Sequence, residues 1–188
     1  MRIVSGEFSS RRIEAPKGDQ TRPTLDKVRE AVFSSLGGRF EGGSFLDLYA
    51  GSGANGLEAL SRGFNEAVFV DISKEAVSVI RSNIRSLRCE DRTRVLPMRD
   101  MKALALLNNE GTKFDLVYLD PPYARQHNNE ILAYLEKHCM LKNHARVVIE
   151  SLKEDTFAET YGWLKPYKEA VYGISRITYY RYENEEQE

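Results

Sequence analysis

From Ser44 onward, short apolar runs alternate with segments of helical periodicity, and this alternation is the strongest constraint on the fold. Helical patterns begin near Asn55, Lys74, Met101 and Asn129. The apolar runs between them predict five strands, at Phe45–Tyr49, Ala67–Val70, Arg94–Leu96, Phe114–Leu119 and Arg146–Glu150. Alternating strands and helices build βαβ units, in which parallel strands are covered by helices on both faces. The sequence therefore predicts a mostly parallel, doubly wound α/β sheet.

The two ends of the chain follow other patterns. Residues 1–16 hold two brief apolar runs around a Gly/Ser turn, which predicts a short hairpin. The segment "TLDKVREAVFSSLGG" predicts a helix with Thr24 as its N-cap. Near the end, "YKEAVYG" and "ISRITYYRY" alternate with period two around Gly173, which predicts an antiparallel hairpin that closes the sheet. We expect an appendage over 1–40, a core over 41–182 and a disordered acidic tail over 183–188.

Length and composition narrow the class of protein. The 188 residues suffice for one well-packed domain, and no apolar run is long enough to cross a membrane. We therefore expect a cytoplasmic monomer.

The cysteines and histidines lack metal-ligand spacing, so no metal site is predicted. The net charge is −1, but residues 1–40 carry eight basic and five acidic residues, which allows a local basic surface.

A glycine-rich segment, "LDLYAGSGANG", follows the first predicted parallel strand and opens a helix. Ligands of open α/β sheets bind beyond the carboxyl ends of the strands, and glycines let the backbone approach them closely. Gly51, Gly53 and Gly56 satisfy the GxGxxG pattern of dinucleotide sites. The pattern is short, and an ordinary glycine-rich turn also satisfies it.

Three acids sharpen this interpretation. Asp71 ends the next strand, where a carboxylate can accept both hydroxyls of an adenosine ribose, from NAD or from S-adenosylmethionine. Asp47 lies inside the first strand, where it would repel a pyrophosphate but attract the ammonium and sulfonium charges of S-adenosylmethionine. Asp100 could receive an adenine amino group, or it could cap a helix.

The fourth predicted strand ends in "YLDPPY", at the same edge of the predicted sheet as the glycine segment. The Asp120 carboxylate and the Pro121 carbonyl can accept the hydrogens of an exocyclic amino group, and adjacent prolines stiffen the backbone that presents them. Tyr123 offers a face on which a base could stack. A proline turn closed by an aromatic plug is the alternative. Together with Asp47 and Asp71, the segment predicts methyl transfer to an amino nitrogen.

The chain resembles the bacterial 16S ribosomal RNA guanine-N2 methyltransferase family of the small-subunit type. The resemblance rests on "RIVSGEF", "TRPTLDKVREAVFSSL", "FLDLYAGSGANGLEALSRG", "VFVDISKEAV" and "DLVYLDPPY", and it covers all but the acidic tail. It implies a Rossmann-like class I fold, S-adenosylmethionine as cofactor, and a guanine 2-amino group as substrate. The target would be 16S rRNA, within the 30S subunit or an assembly intermediate.

The resemblance also implies a set of site residues. The catalytic segment would be Asp120, Pro121, Pro122 and Tyr123. Cofactor contacts would come from Asp47, Tyr49, Gly51, Gly53, Asp71, Ile72, Asp100, Met101 and Asp120. RNA contacts are expected from Arg11, Arg12, Arg22, Thr24, Lys27 and Arg29. Pro23, between Arg22 and Thr24, belongs to the segment expected to cover the cofactor. Lys27 and Arg29 could instead pair with the nearby acids Asp26 or Glu30, as exposed helical charges often do.

Three other functions remain open from the residues alone. A methyltransferase of adenine N6 in DNA, or in another RNA, would share the Asp-Pro-Pro-Tyr segment. A dinucleotide-dependent oxidoreductase would share the glycine pattern, although Asp47 argues against it. An assembly factor could bind RNA and retain only the fold.

Overall fold

The structure is a computed structural model that describes residues 1–17, 23–122, 127–157 and 160–184. The chain divides into two compact units, Met1–Asp100 and Met101–Glu188. The predicted appendage therefore belongs to the same unit as the glycine segment. Each unit is built around its own group of strands.

In the first unit, the N-terminal segment is more irregular than predicted. Its two arms meet at a single antiparallel bridge between Arg2 and Arg12, which places Ile3 and Ile13 in the core. Helix α1 spans Pro23–Ser35. Thr24 is therefore already helical, one residue past the proline that opens the helix, and the prediction of an N-cap there is wrong. Proline is suited to a first helical turn because it needs no hydrogen-bond acceptor for its nitrogen.

Three parallel strands form the centre of this unit, in the order β3-β2-β1. They are β1 (Ser44–Asp47), β2 (Glu66–Val70) and β3 (Thr93–Leu96), and they are joined by α2 (Ala54–Ser61) and α3 (Lys74–Leu87). All four residues of β1 are buried, as expected of a strand covered on both faces. Ser73 caps α3, because its hydroxyl oxygen accepts the Ala76 N–H at 3.3 Å. A 3-10 turn over Glu90–Arg92 leads into β3.

The second unit combines one parallel and two antiparallel pairings, in the order β4-β5-β7-β6. Its strands are β4 (Phe114–Leu119), β5 (Leu141–Leu152), β6 (Leu164–Tyr172) and β7 (Ser175–Tyr182). Helix α4 runs over Asp100–Asn109, and α5 over Asn128–Lys137. The predicted hairpin at Gly173 is confirmed, with a φ of +62° at that glycine. Strand β5 is longer than predicted at both ends: its pairing with β7 continues through Ser151 and Leu152, and it already begins at Leu141, which pairs with Phe114 of β4.

The predicted fold class is confirmed: the α/β architecture is mostly parallel, and its C-terminal hairpin is antiparallel. None of the helices in the described parts of the chain has the length and apolar character needed to cross a membrane.

Candidate active site

The glycine loop, residues 48–53, connects β1 to α2 and forms the floor of the candidate site. Gly51 and Gly53 have positive φ values of +54° and +80°, which L side chains rarely adopt. A Cβ atom on Gly51 would meet nothing within 4 Å, so the backbone at this point is open to a ligand. A Cβ atom on Gly56 would instead lie 2.3 Å from the Phe69 ring. Gly51 is therefore needed for the conformation of the loop, whereas Gly56 is needed for the close packing of α2 on β2.

Asp47 is the last residue of β1 and is fully buried beneath this loop. Its Oδ2 accepts the Gly56 N–H at 3.1 Å, whereas its Oδ1 has no hydrogen-bond partner among the described residues. Burial raises the pKa of this carboxyl to about 7; the negative charge of Asp71 raises it further, and the Gly56 N–H opposes the rise. A buried carboxylate oxygen without a donor is costly, and a bound cation would relieve that cost.

Asp71 follows β2 and holds the shape of the glycine loop. Its Oδ2 accepts the Gly51 N–H at 2.9 Å, and its Oδ1 accepts the Ser73 N–H at 2.8 Å. Each carboxylate oxygen has a further lone pair, so both can still accept a hydroxyl. The next residue, Ile72, is 60% exposed. A large apolar side chain beside an open loop offers a surface that a flat aromatic ring could cover.

Tyr49 and Asp100 form a second polar pair in the same unit. The Tyr49 hydroxyl donates to Asp100 Oδ2 at 2.7 Å. Burial, and then this bond to a carboxylate, raise the pKa of Tyr49 well above its usual value, so the phenol stays protonated. Helix α4 begins at Asp100 itself. The tyrosine thus connects the glycine loop to the residue predicted to contact adenine.

In the second unit, β4 ends at Leu119, and Asp120, Pro121 and Pro122 follow directly. Asp120 is exposed, as a group that meets a substrate must be, while Pro121 is buried and anchors the turn. Tyr123 lies outside the described residues. Met101, in the first turn of α4, is half-buried. That these residues share one site with Asp47 and Asp71 stays a prediction.

The predicted RNA contacts fall into three groups. Arg11, Arg12 and Lys27 are exposed, and the Arg11 guanidinium donates to the Ser86 carbonyl at 2.8 Å. Arg22 and the side chain of Thr24 lie outside the described part of the structure. Arg29 is only 5% exposed, which contradicts its prediction as an RNA contact.

Arg29 belongs to a buried ion cluster, of which the sequence predicted only the alternative pairing with Asp26. Its guanidinium donates to Asp26 at 2.7 Å and to the fully buried Glu58 at 3.4 Å. Glu58 also accepts Arg62 Nε at 2.7 Å and the N–H of Val4 at 2.8 Å. The cluster joins the N-terminal segment, α1 and α2. The spacing of four between Glu58 and Arg62 could have predicted their ion pair. The pairing of Glu58 with Arg29, 29 residues away, could not be predicted from the sequence.

Asn83 of α3 makes a second long-range connection. Its Oδ1 accepts the Glu14 N–H at 2.8 Å, and its Nδ2 donates to the Glu14 carbonyl at 3.0 Å and to the Ser52 carbonyl at 2.9 Å. One buried amide therefore ties the N-terminal segment to the glycine loop.

Solved structures and known sequences place this arrangement in one class of enzymes. The structure described as "Putative methyltransferase yhhF from Escherichia coli" superposes with a TM-score of 0.84 at 31% identity, covering 98% of this chain and 99% of that one. A putative SAM-dependent methyltransferase from Streptococcus mutans shares the fold at 10% identity, with a TM-score of 0.67 over 84% of this chain and 48% of that one. Fold and glycine loop together define a Rossmann-like methyltransferase.

The chain belongs to the family described as Conserved hypothetical protein 95, whose model matches residues 1–181. "Putative rRNA methyltransferase YlbH" of Bacillus subtilis is 36% identical over 181 residues, which is 96% of this chain and 98% of that protein. "Ribosomal RNA small subunit methyltransferase D" of Escherichia coli K12 is 30% identical over 187 residues, or 100% of this chain and 91% of that protein.

Proposed function

We propose that this protein transfers a methyl group from S-adenosylmethionine to the exocyclic 2-amino group of a guanine in 16S rRNA. The substrate would be the 30S subunit or an assembly intermediate, and the enzyme would act as a cytoplasmic monomer. The observation that carries the proposal is the buried Oδ1 of Asp47, which has no partner in the described part of the chain and lies under an open glycine loop, in a family whose relatives are named as rRNA methyltransferases.

The residues of the first unit suit this cofactor. Asp47 would receive the positive charge of its methionine end, which relieves the buried carboxylate. Asp71 would accept the ribose hydroxyls with the lone pairs that Gly51 and Ser73 leave unused. Ile72 and Asp100 would contact the adenine. A dinucleotide fits less well, because its pyrophosphate would bring negative charge toward the Asp47 carboxylate and would relieve none of the cost of burying it.

The chemistry at nitrogen would come from the segment after β4. S-Adenosylmethionine supplies an electrophilic methyl carbon and leaves as neutral S-adenosylhomocysteine. The Asp120 carboxylate and the Pro121 carbonyl would accept the two amino hydrogens, which directs the nitrogen lone pair toward the methyl group. Once methylated, the nitrogen is acidic and releases one proton to Asp120 or to water. Tyr123 keeps its predicted role of stacking the base.

The N-terminal segment would contact the RNA. Arg2 and Arg12 face each other across the bridge, and both are exposed. Like charges directly opposite each other destabilise a strand pair, so this pair favours a phosphate partner. Arg12 was predicted to contact RNA, whereas Arg2 was not.

The test is methylation of 30S particles with a labelled methyl donor, followed by mapping of the modified base. We expect label in one guanine, at N2. Duplex DNA and NAD are the comparison substrates. Label in DNA adenine alone would support the adenine methyltransferase, and tight NAD binding without affinity for S-adenosylhomocysteine would support the oxidoreductase. RNA binding with no label anywhere would support an assembly factor.

A further inference from the structure

Helix α3 and its C-cap carry four exposed basic residues, and we call them the α3 basic stripe: Lys74, Arg81, Arg85 and Arg88. At 100° per residue, the spacings of 7 and 4 keep Lys74, Arg81 and Arg85 within one narrow sector of the helix, and Arg88 follows at its end. Arg88 is the C-cap residue, so the stripe runs the whole helix, about 21 Å at 1.5 Å per residue.

Among the described residues, no acid forms an ion pair with a residue of the stripe. The one acid of α3, Glu75, points to another side, where its Oε1 accepts the Lys17 N–H at 2.8 Å. The N-terminal segment follows that other side, through Glu14 at Asn83 and Arg11 at Ser86. The core face, with Ile80 and Ile84, is buried. The stripe is therefore the side of α3 that remains open to solvent.

Helix stability does not account for this arrangement. Basic residues near the C-terminus of a helix are stabilised by the helix dipole, which accounts for a positive charge at Arg88 and, more weakly, at Arg85. Lys74 stands at the opposite end, where a cation is unfavourable. Arg81 and Arg85 are four residues apart, and Arg85 and Arg88 are three apart, so these like charges repel across adjacent turns. A bound polyanion would attract each of these cations and so offset the repulsion between them.

The position of the α3 basic stripe indicates which polyanion binds to it. It begins three residues after Asp71, so one end lies beside the residues proposed to hold the methyl donor. We propose that the α3 basic stripe binds the phosphate backbone of the substrate rRNA, as a second contact separate from the N-terminal arginines. This inference rests on the proposed function, because it takes the substrate to be RNA.

The test variant is Arg81→Gln/Arg85→Gln/Arg88→Gln, which leaves the loop-proximal Lys74 in place. Its KM for 30S particles should rise at least about tenfold, and the slope of log affinity for 16S rRNA against log salt should fall by about 2. The kcat at saturating particle and the affinity for S-adenosylhomocysteine should stay unchanged. Its melting temperature should stay close to that of the wild type, because the relief of like-charge repulsion opposes the loss of favourable charges at the helix C-terminus.

The matched control is Lys113→Gln/Lys153→Gln/Lys165→Gln, which removes three exposed positive charges from the second unit. The control should keep the KM and the salt slope of the wild type. An equal loss in the control would overturn a local site, and so would a wild-type KM and slope in the arginine variant. Loss of binding to phosphatidylserine vesicles, with rRNA binding intact, would overturn RNA as the partner.

Direct binding of 16S rRNA separates this inference from the proposed function. If the wild type methylates no particle, the proposed function fails. The α3 basic stripe is still judged by whether the arginine variant loses rRNA affinity relative to the lysine control.

Discussion

At the scale of single residues, Asp47 sets the electrostatics of the candidate site. A carboxyl whose pKa rises from near 3.8 to about 7 binds its proton more tightly in the folded state than in the unfolded state. The folded protein is therefore most stable below the unfolded pKa and loses stability as pH rises from about 4 to about 7. A shift of this size corresponds to a loss on the order of 4 kcal/mol. The ligand-free protein carries that cost at neutral pH.

Asp47→Asn tests this cost. The amide keeps an acceptor for the Gly56 N–H but cannot ionise. Without ligand, the variant should be more stable than the wild type at pH 8, and the difference should shrink toward pH 5. Urea denaturation across this range measures the difference. A variant that is equally destabilised at every pH would contradict the assigned ionisation.

The same residue predicts a pH dependence of cofactor binding. The ammonium of S-adenosylhomocysteine should bind the ionised carboxylate, so wild-type affinity should rise as pH increases through about 7. In Asp47→Asn the affinity should be lower, by about tenfold or more, and flat across that range. Titration calorimetry between pH 5.5 and 8.5 checks both parts. Equal pH profiles in the two proteins would exclude Asp47 as the cause.

Asp120→Ala tests the catalytic segment. The rate of methyl transfer at saturating substrates should fall at least about 100-fold, because one acceptor that orients the amino group is lost. The affinity for S-adenosylhomocysteine should change little. Asp120→Asn retains a carbonyl acceptor and should keep more activity than the alanine variant. Full activity in Asp120→Ala would refute the assigned role.

Which site residues could be read from the sequence depended on how local their partners are. Asp47 accepts the Gly56 N–H in the first turn of α2, and Asp71 accepts the Gly51 N–H in the glycine loop, so strand and loop spacing sufficed to find them. The prediction of Arg29 as an RNA contact was wrong because Asp26, three residues away, is only one of its two ion-pair partners. The deciding partner, Glu58, lies on another helix, and only tertiary packing brings it there.

At the scale of elements, the Glu58 ion cluster connects three parts of the first unit. Removing one member of a buried cluster leaves the others charged and unpaired, which typically costs 3–5 kcal/mol. Glu58→Gln should therefore lower the free energy of unfolding by roughly 3 kcal/mol or more. Glu30→Gln, an exposed acid of α1, is the control and should stay within about 0.5 kcal/mol of the wild type. Chemical denaturation of both variants makes the comparison, and equal stabilities would contradict the cluster.

Sequence periodicity located the strands but not their ends. Strand β4 has the bounds that its apolar run predicted, because five of its six residues are buried. Strand β5 extends beyond its apolar run at both ends, because pairing with β7 continues to Leu152 and Leu141 already pairs with Phe114 of β4. The N-terminal hairpin has only one bridge in part because the side chains of Glu58 and Asn83 accept the backbone N–H groups of Val4, Ser5 and Glu14.

At the scale of the whole molecule, charge is distributed unevenly. The net charge of −1 alone would argue against a nucleic-acid partner. Arg2 and Arg12 nevertheless form an exposed like-charged pair, whereas the buried acids Asp47 and Glu58 are matched by the buried Arg29 and Arg62. Net charge averages over the whole surface, so it does not exclude a local group of positive charges that attracts a phosphate.

This charge distribution predicts that added salt weakens the binding of 30S particles but not the binding of the cofactor. The KM for 30S particles should rise steeply between 50 and 200 mM salt, while affinity for S-adenosylhomocysteine stays nearly constant. Arg2→Gln/Arg12→Gln should reduce the salt slope by about 1 to 2. Initial rates at several salt concentrations measure the effect. A salt-independent KM would contradict phosphate contacts by these residues.

The two hydrogen bonds of Asp71 have a consequence for how such enzymes can diverge. The carboxylate that would recognise the ribose also holds the Gly51 N–H, and so maintains the turn on which the ligand would rest. A mutation that altered sugar preference at this position would also disturb the turn. Lineages are therefore expected to diversify in the nucleic acid they modify before they change the donor molecule they use.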